Sequence, residues 1–265
     1  MHGIRPSAKV SHWRCLLQAH AGNYARSIGR GLYAIYTWVI FTILVLLFGG
    51  FAAVAGRPDR ARRLARFFAR LMFRLAGMPL SISGIDRLPA EPHVLLANHT
   101  SFLDALVLIA LLPPSPGYTF TTRQEFRLQS LLCPLLRSVH TIVLKHAGRK
   151  GHTGNVEAMQ SALAGGENLL VFPEGAFTPE PGLKPFHSGA FIAAAQANVP
   201  IVVAGLRGAR DALRLGTWLP RKTSIAVEIG PTLKPCGTDP DALHALMETA
   251  RLEMAPITGE SNRRA

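Results

Sequence analysis

An imidazole and a carboxylate stand close together in Asn98-His99-Thr100-Ser101-Phe102-Leu103-Asp104, directly after the apolar run of residues 94–97. Histidine is the side chain that takes up a proton near neutral pH. A carboxylate on one ring nitrogen fixes the tautomer and leaves the other nitrogen free to act as a base. Further along, Phe172-Pro173-Glu174-Gly175 follows a second apolar run, residues 168–171. Each polar cluster leaves the end of a buried-strand pattern, so the two belong at one edge of one sheet. No Gly-x-Ser-x-Gly elbow occurs, and Cys15, Cys133 and Cys236 are not placed as nucleophiles. The chemistry on offer is therefore that of a carboxylate-steadied general base, with no serine or thiol nucleophile competing.

Both clusters also have a plainer reading. Ser101 and Asp104 have capping-box spacing, which would make Asp104 a helix cap and His99 a strand-end histidine. The two roles are compatible if the first helical turn carries the acid back against the ring. Residues 172–175 likewise read as a strand closed by a proline turn with an exposed acid.

The elements that must hold these clusters follow from the hydropathy pattern. From residue 78 onward, β-like runs at 80–83, 94–97, 118–122, 141–144, 168–172, 201–204 and 224–229 alternate with helical stretches at 102–112, 130–139, 156–164, 189–197 and 241–254. This is an α/β domain with a mixed, mostly parallel sheet flanked by helices. It spans residues 78–258, and residues 259–265 are expected to fray.

Ahead of it, residues 31–56 contain no charged side chain. At about 1.5 Å per residue they reach about 39 Å, more than the roughly 30 Å of a bilayer's hydrocarbon core. Tyr33, Tyr36 and Trp38 cluster near one end, as at a membrane interface. Residues 1–30 form a basic N-terminal segment, and residues 31–77 an uncleaved membrane anchor with an amphipathic helix. The segment 57–74 is the more basic flank, which puts the C-terminal side and the catalytic domain in the cytoplasm, at the inner or plasma membrane if the chain is bacterial. A re-entrant hairpin with both ends on one face is the alternative to a span. In residues 59–76, Leu64, Phe67, Phe68, Leu71, Met72 and Leu75 form one helical face. Arg62, Arg66, Arg70 and Arg74 form a stripe expected to meet lipid headgroups.

The formal charge of the 265-residue chain is +13, with 48% apolar residues. That balance calls for an anionic partner, and next to an anchor the partner is lipid. No nucleic-acid-binding module is recognisable, so nucleic acid is not expected. The cysteines show neither metal nor disulfide spacing, and the histidines show no ligand spacing, so neither metal nor cofactor is expected.

His99 and Asp104, followed by Phe172-Pro173-Glu174-Gly175 and by Val199-Pro200-Ile201-Val202, resemble the glycerolipid acyltransferase family, typified by 1-acylglycerol-3-phosphate acyltransferase. The likeness covers about residues 80–230. It implies a glycerol-3-phosphate acyltransferase-like α/β fold with a membrane-associating N-terminal element. It also implies transfer of a fatty acyl group from acyl-CoA or acyl carrier protein to a lysophospholipid hydroxyl, with 1-acylglycerol-3-phosphate giving phosphatidate as the first expectation. His99 would be the base and Asp104 its partner. Glu174 would hydrogen-bond the acceptor or orient the neighbouring loop, and Gly175 would let the backbone approach the substrate.

Two departures bear on the acceptor. The family usually continues Glu-Gly-Thr-Arg, its arginine read as a phosphate ligand, where this chain has Glu174-Gly175-Ala176-Phe177. The family's middle motif ends in an arginine where this chain has Lys145-His146. Lys145, Arg149, Lys150, Lys184 and His187 are the substitutes nearby, His146 stands at the lost arginine, and Arg123 could meet the phosphate of an acceptor or an acyl carrier; another lysolipid acceptor, such as an amino-acid-linked lipid, is the alternative. A thioester hydrolase and a non-catalytic lipid-binding homologue are the remaining readings.

Overall fold

The apolar runs pair into one seven-stranded sheet in a computed structural model that describes residues 8–54, 58–123, 141–144 and 149–263. The strands are β1 (Leu80–Ser83), β2 (Val94–Ala97), β3 (Tyr118–Arg123), β4 (Thr141–Leu144), β5 (Asn168–Val171), β6 (Ile201–Arg207) and β7 (Ile225–Leu233). Their order is β1-β7-β6-β2-β5-β3-β4, parallel throughout except between β6 and β7. β2 and β5 are adjacent, and every residue in them is buried. A strand covered on both faces reads as a continuous apolar run, which is why both were visible in the sequence.

Successive side chains of β2 go to opposite faces. Leu95 and Ala97 join a core with α1 (Ala8–Val54), α2 (Pro58–Leu75) and α3 (Asp104–Leu111). Val94 and Leu96 join a second core with α4 (Arg149–Ala164), α5 (Gly189–Ala197) and α7 (Pro240–Thr258), while α6 (Ala209–Ala212) is a single turn after β6. Asp239 caps α7 by accepting from the Ala242 N–H at 2.9 Å, and Pro240 fits its first turn. A β-carbon on Gly205 would come within 2.6 Å of Ile257 Cγ2 and 3.1 Å of its backbone carbonyl carbon, so glycine there lets the end of α7 lie against β6.

α1 is one continuous helix from Ala8, so the expected division at residue 31 is a change of composition, not of structure. It runs on through residues 31–54, and α2 makes the return. Phe48 and Phe51 meet Phe68, whereas the Tyr33 and Tyr36 hydroxyls donate to the carbonyls of Ala76 and Leu75. The two helices are therefore antiparallel. Ala34, Leu44 and Phe48 face the protein, while Leu32, Ile35, Val39, Ile43 and Leu46 face outward and exposed. Residues Ser27–Phe51 are long and apolar enough to cross a membrane, and only 17% of that window is buried in the protein.

The arginine stripe of α2 does not reach outward as expected. Arg66 and Arg70 donate through Nε to the Ala110 carbonyl at 3.3 and 2.7 Å, and Arg66 donates through Nη2 to that of Leu111 at 3.2 Å. Arg62 reaches the Pro116 carbonyl at 2.8 Å. Arg66 and Arg70 cap α3, because the last-turn carbonyls of a helix lack intrahelical partners and carry partial negative charge, while Arg62 ties α2 to the loop beyond it. Arg74 alone of the four makes no such contact and is exposed.

The C-terminal residues do not fray up to residue 263. Leu183 N–H donates to the Ser261 carbonyl and Arg263 N–H to that of Leu183, both at 2.9 Å, so the tail lies beside Leu183 in one isolated parallel bridge. The helix expected at 130–139, with Lys145 and His146, lies outside the described residues.

Candidate active site

The strand register builds the site. Leu96 pairs with Val171, and three residues beyond each lie His99 and Glu174 at the carboxyl ends of parallel neighbours. Ligands of open α/β sheets gather at that edge. The His99 N–H donates to Glu174 Oε1 at 2.9 Å. Asn98, fully buried, extends β2 towards β6 by pairing both its amide groups with the backbone of Leu206, at 3.1 and 2.7 Å.

The chain then turns so that Asp104, the first residue of α3, comes back under the imidazole. Its Oδ2 accepts from His99 Nδ1 at 2.9 Å and from the backbone N–H groups of Thr100 and Ser101. Asp104 is fully buried, while the His99 side chain keeps 19% of its surface exposed. An ionised carboxylate only accepts, so the proton sits on Nδ1 and Nε2 carries the free lone pair. One carboxylate thus orients the ring and ties down the turn, the double role the spacing allowed.

Ser101 is not the N-cap that the capping-box spacing predicted. The helix starts later, after Leu103, and the Ser101 hydroxyl donates to the Leu213 carbonyl at 2.9 Å. The acid's half of the box is nevertheless made, since Asp104 Oδ2 accepts from the Ser101 N–H, while Ser101 Oγ accepts from the Leu103 N–H at 3.3 Å.

Glu174 is buried rather than exposed, and holds the loop. Beyond the His99 N–H, its Oε2 accepts from Lys184 N–H at 3.0 Å. Burial pushes its carboxyl above the usual range, and the two N–H groups pull in the opposite direction. Gly175 sits at φ 72°, a left-handed conformation that glycine adopts without strain, and its N–H closes a turn onto the Phe172 carbonyl. The Lys184 ammonium reaches the Ala176 carbonyl at 3.2 Å.

His99, Asp104, Glu174, Gly175 and Lys184 are thus brought together. Arg123 ends β3; with Phe120 paired to Leu170, it stands level with Pro173 at the same edge. What sequence reasoning missed is the aromatic surround. Phe172 stacks on the imidazole at 4.2 Å and 18°, Phe177 meets it edge-on at 4.5 Å, and Phe102 packs on Phe177 at 4.7 Å. The signal was the phenylalanine flanking each polar cluster.

The C-terminal tail braces this loop from the other side. Glu260 Oε1 pairs with Arg210 at 2.7 Å and its Oε2 accepts from Gly182 N–H at 3.0 Å, two residues from Lys184. Replacing Glu260 with alanine leaves the half-buried guanidinium and that N–H uncompensated. We expect a loss of about 1–3 kcal/mol of stability, measured as a lower urea midpoint with an unchanged m-value.

The acyltransferase family profile matches residues 79–207, which contain both clusters. Residues 79–207 are thereby assigned to the acyltransferase family. A 1-acyl-sn-glycerol-3-phosphate acyltransferase from Saccharomyces cerevisiae is 31% identical over 193 residues, covering 66% of this chain and 60% of that protein. A lyso-ornithine lipid O-acyltransferase from Pseudomonas aeruginosa is 29% identical over 154 residues, or 58% of this chain and 57% of that one. The chain therefore spans less than two thirds of the length of either relative. The crystal structure of the 1-acyl-sn-glycerophosphate acyltransferase from Thermotoga maritima has the same fold, with a TM-score of 0.71 at 20% identity over 85% of this chain and 94% of that one.

Proposed function

We propose that the protein is a membrane-associated O-acyltransferase that moves a fatty acyl group from a thioester donor, acyl-CoA or acyl carrier protein, to a lysophospholipid hydroxyl. The observation that carries this reading is the buried Asp104 carboxylate on Nδ1 of a partly exposed His99. His99 Nε2 takes the proton of the acceptor hydroxyl as its oxygen attacks the thioester carbonyl. The tetrahedral adduct expels the thiolate, which recovers the proton from the imidazolium. The products are an ester and a free thiol. Asp104 stabilises the imidazolium between the two transfers, and the Phe172 face beneath the ring favours the same cation. Glu174, Gly175 and Lys184 shape the loop that receives the acceptor, and Arg123, Lys145 and His146 are the further basic groups assigned to its head. The outward apolar face of α1 supplies membrane attachment.

The first acceptor to test is 1-acylglycerol-3-phosphate, giving phosphatidate. A second reading rests on Phe177. This ring packs on His99 two residues beyond Gly175, and the Lys184 ammonium is engaged by Ala176. An acceptor without a phosphomonoester suits that corner better, and a lyso-ornithine lipid is one such molecule. The deciding experiment incubates the detergent-solubilised chain with radiolabelled acyl-CoA and, separately, with acylated carrier protein, against a panel of lysolipids that includes both acceptors. Labelled phosphatidate supports the first acceptor, and labelled ornithine lipid alone supports the second. Free fatty acid formed without any acceptor, or no turnover with any pairing, would remove the transferase reading.

A further inference from the structure

The segment from Leu213 to Lys222, between α6 and β7, is closed at its base by Arg221 N–H donating to the Ala212 carbonyl at 2.8 Å. At its tip Trp218 is 70% exposed and Leu219 is 49% exposed. An indole and an isobutyl group left in water side by side are unusual unless something covers them. The tip is not loose. Trp38 Nε1 on α1 donates to the Trp218 carbonyl at 2.9 Å, and the two indoles lie 5.5 Å apart. It therefore continues the outward apolar face of α1. Arg221 is exposed beside it, Arg214 is exposed and pairs with Asp211 at 3.0 Å, and the Lys222 ammonium lies over the Tyr33 ring. At the other end of the segment, the Leu213 carbonyl receives the Ser101 hydroxyl, two residues from His99.

We propose that residues 213–222 form a second membrane-seating element, with Trp218 and Leu219 entering the headgroup layer of an anionic phospholipid bilayer. Tryptophan favours that layer because its ring is amphipathic, and the neighbouring cations complement anionic headgroups. The element is tied to α1 at Trp218 and to the catalytic turn at Leu213. It thereby fixes the His99 edge of the sheet against the surface from which a lysolipid acceptor arrives. This inference rests on the membrane acyl-transfer reading above.

The test uses the full chain reconstituted in mixed phosphatidylcholine–phosphatidylglycerol vesicles. Brominated acyl chains are expected to quench an emission component that is absent from Trp218→Phe. Trp218→Asp combined with Leu219→Asp stays anchored through α1, but turns over vesicle-embedded long-chain lysolipid about tenfold more slowly, the equivalent of one buried aliphatic side chain. Its rate on a short-chain, water-soluble acceptor is unchanged, a split that damage to the active site would not give. Unquenched Trp218, or equal effects on the two acceptors, would overturn the seating role while leaving the membrane reading intact. A wild-type chain that fails to associate with vesicles would overturn the membrane reading itself. If the double variant does not fold, the quenching comparison with Trp218→Phe decides alone.

Discussion

Replacing His99 with alanine is expected to lower kcat for acyl transfer by at least about a hundredfold, the low end for a positioned general base. The KM for lysolipid should change little, because the imidazole acts on the hydroxyl proton rather than on the head group. The size of the loss follows from the site. The hydroxyl of an alcohol is a weak nucleophile until its proton leaves, and among the described residues His99 is the one free-edged base held by a buried carboxylate at the carboxyl end of β2. Removing the ring also leaves a gap against Phe172 and Phe177, so a modest loss of stability accompanies the substitution. Far-UV circular dichroism and a urea midpoint separate that structural effect from the chemical one. A folded His99→Ala chain that still transfers acyl groups at the native rate would take His99 out of the mechanism and return it to the role of a strand-end residue.

The parts of the site that were legible in the sequence share a physical cause. β2 and β5 are covered on both faces, so their sequences are unbroken apolar runs, and a polar residue immediately after such a run marks where the chain leaves the core. The placement of His99 and Glu174 at one edge required only that the two strands be parallel neighbours in register. The same logic predicted α5 and the parallel character of the sheet. The illegible parts depend on partners far away in sequence. The arginines of α2 are periodic whether they face lipid or a carbonyl, and only the position of the last turn of α3 decides between these. Ser101 has capping-box spacing, but that its hydroxyl also donates to the carbonyl of Leu213, more than a hundred residues later, is invisible in that spacing. Glycine and polar residues at the C-terminus look free until the edge offered by Leu183 is seen. Helix α1 begins well before its apolar stretch because helix formation there does not require an apolar face, and hydropathy marked only the segment with one.

The sharpest discrimination between a capping aspartate and a catalytic one comes from comparing Asp104→Asn with Asp104→Ala. Asp104 Oδ2 gathers three donors, the His99 Nδ1–H and the N–H groups of Thr100 and Ser101, at a position sealed from solvent. An asparagine can put its carbonyl oxygen in that place and its amide nitrogen towards the Thr100 hydroxyl, which the carboxylate already contacts through Oδ1 at 3.3 Å. All three donors then keep an acceptor, and stability should change by less than about 1 kcal/mol. What disappears is the negative charge that steadies the imidazolium while it holds the acceptor's proton. We expect kcat to fall by about 10² to 10⁴, the range seen when an aspartate behind a catalytic histidine is replaced by its amide. Alanine removes the acceptor as well, leaving buried N–H groups unpaired at about 1–3 kcal/mol each, so Asp104→Ala should lose both rate and urea midpoint. The two variants therefore separate hydrogen bonding from charge. If Asp104→Asn keeps the native rate and only Asp104→Ala is impaired, the carboxylate is a cap and no more, and the imidazolium needs no counter-charge. If the asparagine chain is as stable as the native one but slow, the charge on a single buried oxygen couples the turn after β2 to proton transfer.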